Sequence, residues 1–194
     1  DEEPYNLATW HALRLAQRQG VRTLFFSWQN IKRRYPWPFS AMETYVLRRI
    51  DAAIFGTAGA HAVWRAKGYR GREAVIPQFG IDPDLFPMRA RKPQREDRFS
   101  VGFVGRLVPE KGVDILLRAL AILPEEVHLT VIGAGPERIA LGHLTGRLEI
   151  SERVVFEPWI PSTKIAERLR CLDALVLPSR TTSHWKEQFG RVLL

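Results

Sequence analysis

The sequence contains a single cysteine, Cys171, so it can form no intrachain disulfide. The apolar neighbours Leu169 and Leu172 predict a small core residue at Cys171 rather than a reactive thiol. No apolar run approaches the about 20 residues that a helix needs to cross a bilayer. The first residues show neither an initiator Met nor a signal-peptide pattern. These absences argue against a disulfide-stapled scaffold and against a transmembrane helix within these residues.

The composition is that of an ordinary globular protein, with 45% hydrophobic and 26% charged residues among 194. The two ends are less ordinary. The last residues, Val192, Leu193 and Leu194, predict a buried helix that stops before any capping residue. Together with the missing Met, this pattern leads us to expect a piece of a longer protein, truncated at both ends.

The net charge of +8 is unevenly distributed. Residues 1–98 carry 17 basic and 10 acidic side chains, a net charge of +7, whereas residues 99–194 carry 12 and 11. The first half could therefore attract an anionic surface such as a membrane or a nucleic acid. An Arg-rich solvated face is the simpler interpretation, since Arg outnumbers Lys by 23 to 6.

Helical and strand patterns alternate along the first half of the chain. Apolar residues from Leu7 to Ala16 recur at helical spacing, and Gly20 follows as a natural end. The next predicted elements are the strand RTLFFSW, the helix FSAMETYVLRRI, the strand AAIF, the helix AGAHAVWRAKG and the strand EAVIP. This alternation predicts a parallel sheet covered by helices.

Residues 82–98 are rich in proline and charge and have little periodicity, which predicts an interdomain linker between domains at 1–81 and 99–194. The second domain repeats the alternation. Its predicted elements are the strand SVGFVG, a helix with Val113, Leu116, Leu117 and Leu120 on one face, the strand VHLTVIG, a helix with Leu141, Leu144 and Leu148, the strand RVVFE, the helix TKIAERLRCL, the strand DALVLPS and a final incomplete helix. The pattern predicts an incomplete doubly wound α/β domain, whose ligands bind at the carboxyl ends of the strands.

Three loops after predicted strands carry the candidate chemistry. The first, GFVGRLVPEKG, places Arg106 after the strand-ending Gly105 and Lys111 before the next helix. Two cations and a helix N-terminus suit a diphosphate. An ordinary strand-to-helix turn with a solvated Lys111 explains the same residues. The spacing of a P-loop, G-x-x-x-x-G-K-S/T, is absent.

The second loop, VIGAGPE, contains Gly133 and Gly135 in a G-x-G pattern typical of dinucleotide binding. The next glycine of that fingerprint would fall at position 138, which is Arg138, and the strand is not the first of its domain. An NAD-dependent oxidoreductase therefore stays a minor alternative.

The third loop, PSRTTSHWKEQFGRVLL, leads from a strand into the predicted final helix through Glu187, Gln188, Phe189 and Gly190. Backbone amides at the start of a helix can bind an anion or sugar hydroxyls. Gly190 would let a ligand approach the backbone closely. The Glu187 carboxylate could accept hydrogen bonds from hydroxyl groups, or it could simply complement the helix dipole.

Taken together, GRLVPEKG, VIGAGP, DALVLPS and KEQFG resemble, in order and spacing, the retaining glycosyltransferases of family four, the glycosyl transferases group 1. VIPQFGID, residues 75–82, is similar to the family's IPNGVD segment near the hinge, with Gln78-Phe79 replacing the usual Asn. The resemblance covers essentially the whole chain. It implies an α/β, GT-B-like fold with parts of two Rossmann-like, doubly wound domains with parallel sheets, the acceptor-side domain at 1–81 and the nucleotide-sugar domain at 99–194.

The resemblance also implies roles for residues. Arg106 and Lys111 would clamp the donor diphosphate, and Glu187, as the first glutamate of the family's Glu-x7-Glu motif, would face the donor sugar. The second glutamate would follow directly after Leu194. Further donor contacts are implied at Gly105, Gly133, Gly135, Gln188, Phe189 and Gly190, the last three through backbone amides.

On the acceptor side, Glu2-Glu3-Pro4 resembles the His-Glu-Pro triplet of some family members, with Glu2 in place of the His, so the role of Glu2 stays open. Trp28, Gln29 and Asn30 follow a strand and are acceptor-side candidates, with strand-end packing as the alternative. The five histidines show no metal-ligand spacing. We therefore predict no metal and no cofactor, only the nucleotide-diphosphate sugar as substrate.

The predicted activity of the parent enzyme is hexosyltransferase-type transfer from a nucleotide-diphosphate sugar, with retention, to a carbohydrate or lipid-linked acceptor. Cations and helix N-termini would stabilise the departing diphosphate. We expect a cytoplasmic location, with peripheral contact at the inner face of the membrane as an open alternative, and no nucleic-acid partner. The chain alone is expected to be inactive. The alternatives are a non-catalytic nucleotide-binding module, the oxidoreductase, and a nucleic-acid binder with steeply salt-dependent affinity.

Overall fold

The computed structural model describes residues 3–84, 86 and 98–193 of the chain. The chain divides into two compact units, Asp1–Phe79 and Gly80–Leu194. Glu2 and most of the predicted linker at 82–98 lie outside the described residues. The functional assignment of the domains at 1–81 and 99–194 therefore stays a prediction.

The first unit is built on a three-stranded parallel sheet of order β1-β2-β3. Side-chain caps begin two of its helices: Asn6 accepts a hydrogen bond from the amide of Ala8 at 3.1 Å, and Thr57 accepts one from the amide of Ala60 at 3.1 Å. The elements in chain order are α1 (Leu7–Arg18), β1 (Leu24–Ser27), α2 (Phe39–Arg49), β2 (Ala52–Phe55), α3 (Ala58–Ala66) and β3 (Arg72–Val75).

Aromatic side chains form the core of this unit. Phe25 of β1 makes edge-to-face contacts with Phe55, Trp64 and Tyr69 at ring-centroid distances of 5.9, 5.5 and 5.8 Å. All four side chains are buried, and the Tyr69 hydroxyl donates to the carbonyl of Arg72 at 2.6 Å. Since each such ring pair adds about 0.5–1.5 kcal/mol beyond area burial, this core holds β1 firmly. Residues 28–30 follow at the carboxyl end of β1.

The second unit contains a four-stranded parallel sheet of order β6-β5-β4-β7. Its strands and helices in chain order are β4 (Phe99–Val104), α4 (Val113–Ala121), β5 (Val127–Ile132), α5 (Arg138–Arg147), β6 (Val154–Glu157), α6 (Ser162–Leu169) and β7 (Ala174–Leu175). The predicted α/β class with parallel, Rossmann-like sheets is confirmed. In the described part of the chain, no helix combines the length and the apolar character needed to span a membrane.

The strand order of this sheet reverses at β4. From β4 the chain moves outward through β5 to β6, and it then returns to place β7 on the other side of β4. In open α/β sheets, ligands bind at such a switch point, outside the carboxyl ends of the two strands. The topology therefore predicts a ligand-binding site at the loops after β4 and β7.

Two predictions for this unit are wrong. The predicted final α-helix is not formed in the described residues, because Gly190 has a left-handed φ of +71° and Arg191–Leu193 form a 3₁₀ turn. Cys171 is exposed rather than in the core. It follows the end of α6, beyond the buried Ile165 and Ala166, and its thiol donates to a backbone carbonyl.

Candidate functional site

The loops after β4 and β7 are fastened together across the switch point. Gly112, with a φ of +67°, lies so close to the next loop that a Cβ on it would come within 2.2 Å of the Pro178 carbonyl oxygen. The amide of Arg180 donates to the Glu110 carbonyl at 2.8 Å, and its guanidinium forms an ion pair with Asp114. These contacts hold the β7 loop against the start of α4.

The loop after β5 packs equally closely against the other side of the β4 loop. A Cβ on Gly133 would lie 1.9 Å from the Gly105 carbonyl oxygen, and one on Gly135 would lie 2.3 Å from that of Leu107. The amide of Leu107 donates to the carbonyl of Ala134 at 2.9 Å. Backbone packing thus explains the G-x-G pattern without a dinucleotide. Donor contacts at Gly105, Gly133 and Gly135 stay predictions.

Lys111 and Glu187, 76 residues apart in the chain, meet at the switch point. The Lys111 Nζ lies 2.5 Å from Glu187 Oε2, and the Ser179 hydroxyl donates to the same oxygen at 2.8 Å. The Gly190 amide also donates to this carboxylate. Lys111 lies 5.2 Å from the centroid of the Trp185 ring, a cation–π contact. Two of the three predicted catalytic residues are therefore in direct contact.

The surroundings of Glu187 favour its ionised form. Burial works to raise the pKa of the carboxyl, but the hydrogen bonds from Lys111 and Ser179, the Lys111 charge and the Gly190 amide outweigh it. The pKa of Glu187 consequently lies below its ordinary value. At neutral pH the site presents a carboxylate beside an ammonium group, and a carboxylate can accept hydrogen bonds from hydroxyl groups.

Arg106, the third predicted catalytic residue, is exposed directly after Gly105. Its guanidinium makes no hydrogen bond or ion pair with any residue that the structure describes. Gln188 is also exposed, whereas Phe189 is half-buried and Gly190 is buried. A Cβ on Gly190 would lie 2.8 Å from the end of the Leu177 side chain, which can shift, so the left-handed φ of +71° is what favours glycine at this position.

In the first unit, the residues after β1 are mainly engaged in packing. The Trp28 indole donates to the Gln78 side chain at 2.8 Å and stacks on Phe79 at 5.3 Å between ring centroids. The backbone amide of Gln29 donates to the Ser27 hydroxyl at 3.1 Å. Asn30 lies beside the first turn of α3, with its Cβ 3.7 Å from the Cβ that Gly59 would carry. Their acceptor-side role stays a prediction, and Glu2 lies outside the described residues.

Two charged contacts in this unit were not anticipated from the sequence. The Ser27 hydroxyl donates to the Glu3 carboxylate at 3.0 Å, and burial raises the pKa of Glu3 against the opposing effects of Ser27 and Lys67. Lys67 forms a 2.6 Å ion pair with Glu43, and the Lys67 side chain is only 4% exposed. These residues are far apart in the sequence, so no spacing rule could have paired them.

The sequence also did not single out the residues that support Glu187 and Lys111 in the second unit. Ser179 and Trp185 lie in the same predicted loop as Glu187, and that shared loop was the only available signal. Nothing in the sequence indicated the ion pair between Arg180 and Asp114, which joins that loop to α4.

The fold and the site together define a Rossmann-like α/β domain whose switch point brings together a lysine cation and a glutamate carboxylate. The family model described as "Glycosyl transferases group 1" matches residues 86–194, more than half of the chain. The chain therefore belongs to this family, as its motifs predicted.

Curated relatives give the same family. One is the GDP-mannose-dependent alpha-(1-6)-phosphatidylinositol monomannoside mannosyltransferase of Mycolicibacterium smegmatis, 31% identical over 86% of this chain and 47% of that protein. Another is the 2-deoxystreptamine glucosyltransferase of Streptomyces kanamyceticus, 28% identical over 91% of this chain and 47% of that protein. The chain thus spans about half the length of these relatives.

Solved structures agree on the fold. HepE of Anabaena, in complex with UDP, superimposes with a TM-score of 0.75 over 95% of this chain and 53% of that one, at 20% identity. Sucrose-phosphate synthase of Thermosynechococcus elongatus gives a TM-score of 0.68 over 96% of this chain and 50% of that one, at 22% identity. The chain therefore has the GT-B-like fold that the motifs predicted.

Proposed function

We propose that the chain is part of a longer glycosyltransferase that transfers a hexose from a nucleotide-diphosphate sugar with retention of configuration. The observation that carries the proposal is the meeting of Lys111 and Glu187 at the switch point of the sheet. Such a pair offers a cation for a diphosphate and a carboxylate for sugar hydroxyls. Family membership and the GDP-mannose dependence named for the mycobacterial relative support it.

The difficult step in this reaction is the departure of the nucleoside diphosphate, which gains negative charge as its bond to the anomeric carbon breaks. Lys111 and the exposed Arg106 would stabilise that charge, and a preorganised cation does so most strongly where water is excluded. Glu187 would hold the sugar that is transferred. No step requires a metal ion or a cofactor, and we propose that the enzyme uses neither.

The second unit would bind the donor, with Gly105, Gly133, Gly135, Gln188, Phe189 and Gly190 around it, and the first unit would supply the acceptor side. Because the chain covers 47% of each of the two relatives, we assign the activity to a longer protein and expect the chain alone to be inactive. The acceptor would be a carbohydrate or a lipid-linked molecule, and the reaction would take place in the cytoplasm.

Titration with nucleotide sugars tests this function. UDP-, GDP- and ADP-sugars would be assayed by calorimetry and by release of nucleoside diphosphate, with the chain and with the longer protein that contains it. We expect binding and turnover by the longer protein. Binding without release or transfer would favour a non-catalytic nucleotide-binding module, binding of NAD instead would favour an oxidoreductase, and no nucleotide-sugar binding by either protein would refute the proposal.

A second proposal concerns peripheral contact with an anionic membrane. Residues 4–42 contain six Lys or Arg and no Asp or Glu, and the stretch Lys32-Arg33-Arg34 is exposed. Nearby, the Trp37 ring is 80% exposed and Phe39 is 44% exposed. Basic residues beside an exposed Trp are the combination that anionic lipid headgroups attract.

Replacing Lys32, Arg33 and Arg34 by glutamine in one variant should weaken binding to anionic vesicles about a hundredfold, since each positive charge contributes about 1 kcal/mol. Trp37→Ala should also weaken it, and neither change should alter donor binding. The measurement is co-sedimentation with phosphatidylglycerol-containing vesicles against pure phosphatidylcholine. Trp159→Ala is the matched control, since Trp159 is 68% exposed in the second unit. Equal binding by all variants would contradict the membrane proposal.

A further inference from the structure

The Glu187 carboxylate is paired with a cation, Lys111, that an incoming diphosphate would need. Lys111 and Ser179 both donate to its Oε2, at 2.5 and 2.8 Å. The Gly190 amide, predicted to contact the donor, donates to the same carboxylate. Of these three donors, the Lys111 ammonium is the cation that a phosphate would recruit, whereas the Ser179 hydroxyl and the Gly190 amide hold the carboxylate beside it.

The position of Lys111 is fixed on two sides. Its ammonium is paired with Glu187, and it lies against the Trp185 ring at 5.2 Å from the centroid. The Lys111 and Glu187 side chains are only 21% and 28% exposed, so solvent screens their attraction less than at an open surface. A phosphate that recruits Lys111 must therefore compete with an anion already in place.

We propose that Glu187 acts as an internal competitor for the diphosphate site, held on Lys111 by the positioning residue Ser179, and that this competition makes the site select intact donor over free nucleoside diphosphate. The inference rests on the proposed function. When a nucleoside diphosphate binds alone, Lys111 turns to the phosphates and the carboxylate loses its strongest partner. When a nucleotide sugar binds, the sugar hydroxyls donate to the carboxylate and replace that partner.

This selection has a consequence for turnover. The product nucleoside diphosphate no longer carries the sugar that satisfied Glu187, so the carboxylate returns to Lys111 and favours product release. A site without this competition would bind the product more tightly and would show stronger product inhibition.

The first test compares affinities for UDP, GDP and ADP in the full-length protein with and without Glu187→Gln. We expect Glu187→Gln to tighten binding of the preferred diphosphate about tenfold, the effect of one lost charge-assisted hydrogen bond in the free state. In a Lys111→Ala background the same change should give no gain, since the pair is already broken. A gain of equal size in both backgrounds would overturn the inference, because it would show only long-range repulsion between Glu187 and the phosphates.

The second test keeps the charge. Ser179→Ala removes one donor from Glu187 without changing any ion, and we expect it to tighten diphosphate binding about two- to fivefold and to raise product inhibition. Structural damage would weaken binding, so a gain separates positioning from misfolding. Ser183→Ala, an exposed hydroxyl in the same loop, is the control and should change nothing.

Unchanged or weaker diphosphate binding in both Ser179→Ala and Glu187→Gln overturns the inference. If the unaltered protein binds donor and transfers sugar while this occurs, the proposed function stands and only the competition fails. If the unaltered protein binds neither diphosphates nor nucleotide sugars, the proposed function fails, and the inference fails with it.

Discussion

Replacing Lys111 with alanine should slow sugar transfer by the longer protein about a hundred- to a thousandfold, the usual loss when one preorganised donor to a developing negative charge is removed. Arg106→Ala should have an effect of the same order. The physical reason is that the leaving diphosphate would lose a cation placed at the switch point, where Lys111 is 21% exposed. The measurement is the rate of nucleoside diphosphate release with donor and acceptor present.

Matched controls separate this effect from the loss of positive charge in general. Lys164 in α6 and Arg147 at the end of α5 are exposed in the same unit and belong to neither the loop after β4 nor the loop after β7, and their alanine variants should transfer sugar at the normal rate. Circular dichroism of each variant checks that the fold is retained. Near-normal rates in both Arg106→Ala and Lys111→Ala would contradict the proposed function.

Gly133→Ala should destabilise the second unit by at least about 3 kcal/mol, because overpacking and backbone strain act together there. The new Cβ would lie 1.9 Å from the Gly105 carbonyl oxygen, a backbone atom that cannot rotate away as a side chain could. The φ of +151° at Gly133 is also one that residues with a Cβ rarely adopt. Urea unfolding measures the free energy of unfolding.

Gly146→Ala is the matched control for this change. Gly146 lies within α5, and a Cβ there would meet no atom within 4 Å. Alanine has the higher helix propensity, so this variant should gain about 0.5–1 kcal/mol of stability. Equal stabilities for the two variants would show that the β4 and β5 loops do not pack as closely as the structure indicates.

The sequence by itself determined most of the secondary structure, because hydrophobic period and end signals are local. The strand AAIF has the predicted bounds as β2, and the face of α4 contains the predicted Val113, Leu117 and Leu120 as buried residues. The final helix was mispredicted because the pattern of residues does not reveal the backbone conformation of a glycine. The apolar pattern is compatible with Gly190 in a helix, but Gly190 adopts a left-handed φ, which an α-helix does not contain.

The sequence also determined which loops carry charge and glycine, and hence the family, since these depend on residue identity and spacing alone. Only the tertiary structure decided that Lys111 and Glu187 form an ion pair and that Ser179 supports it. Parallel strands are joined by crossovers, so chain order does not state which strands are neighbours in the sheet. The order β6-β5-β4-β7 places the last strand beside the first, and that placement brings together a lysine and a glutamate 76 residues apart.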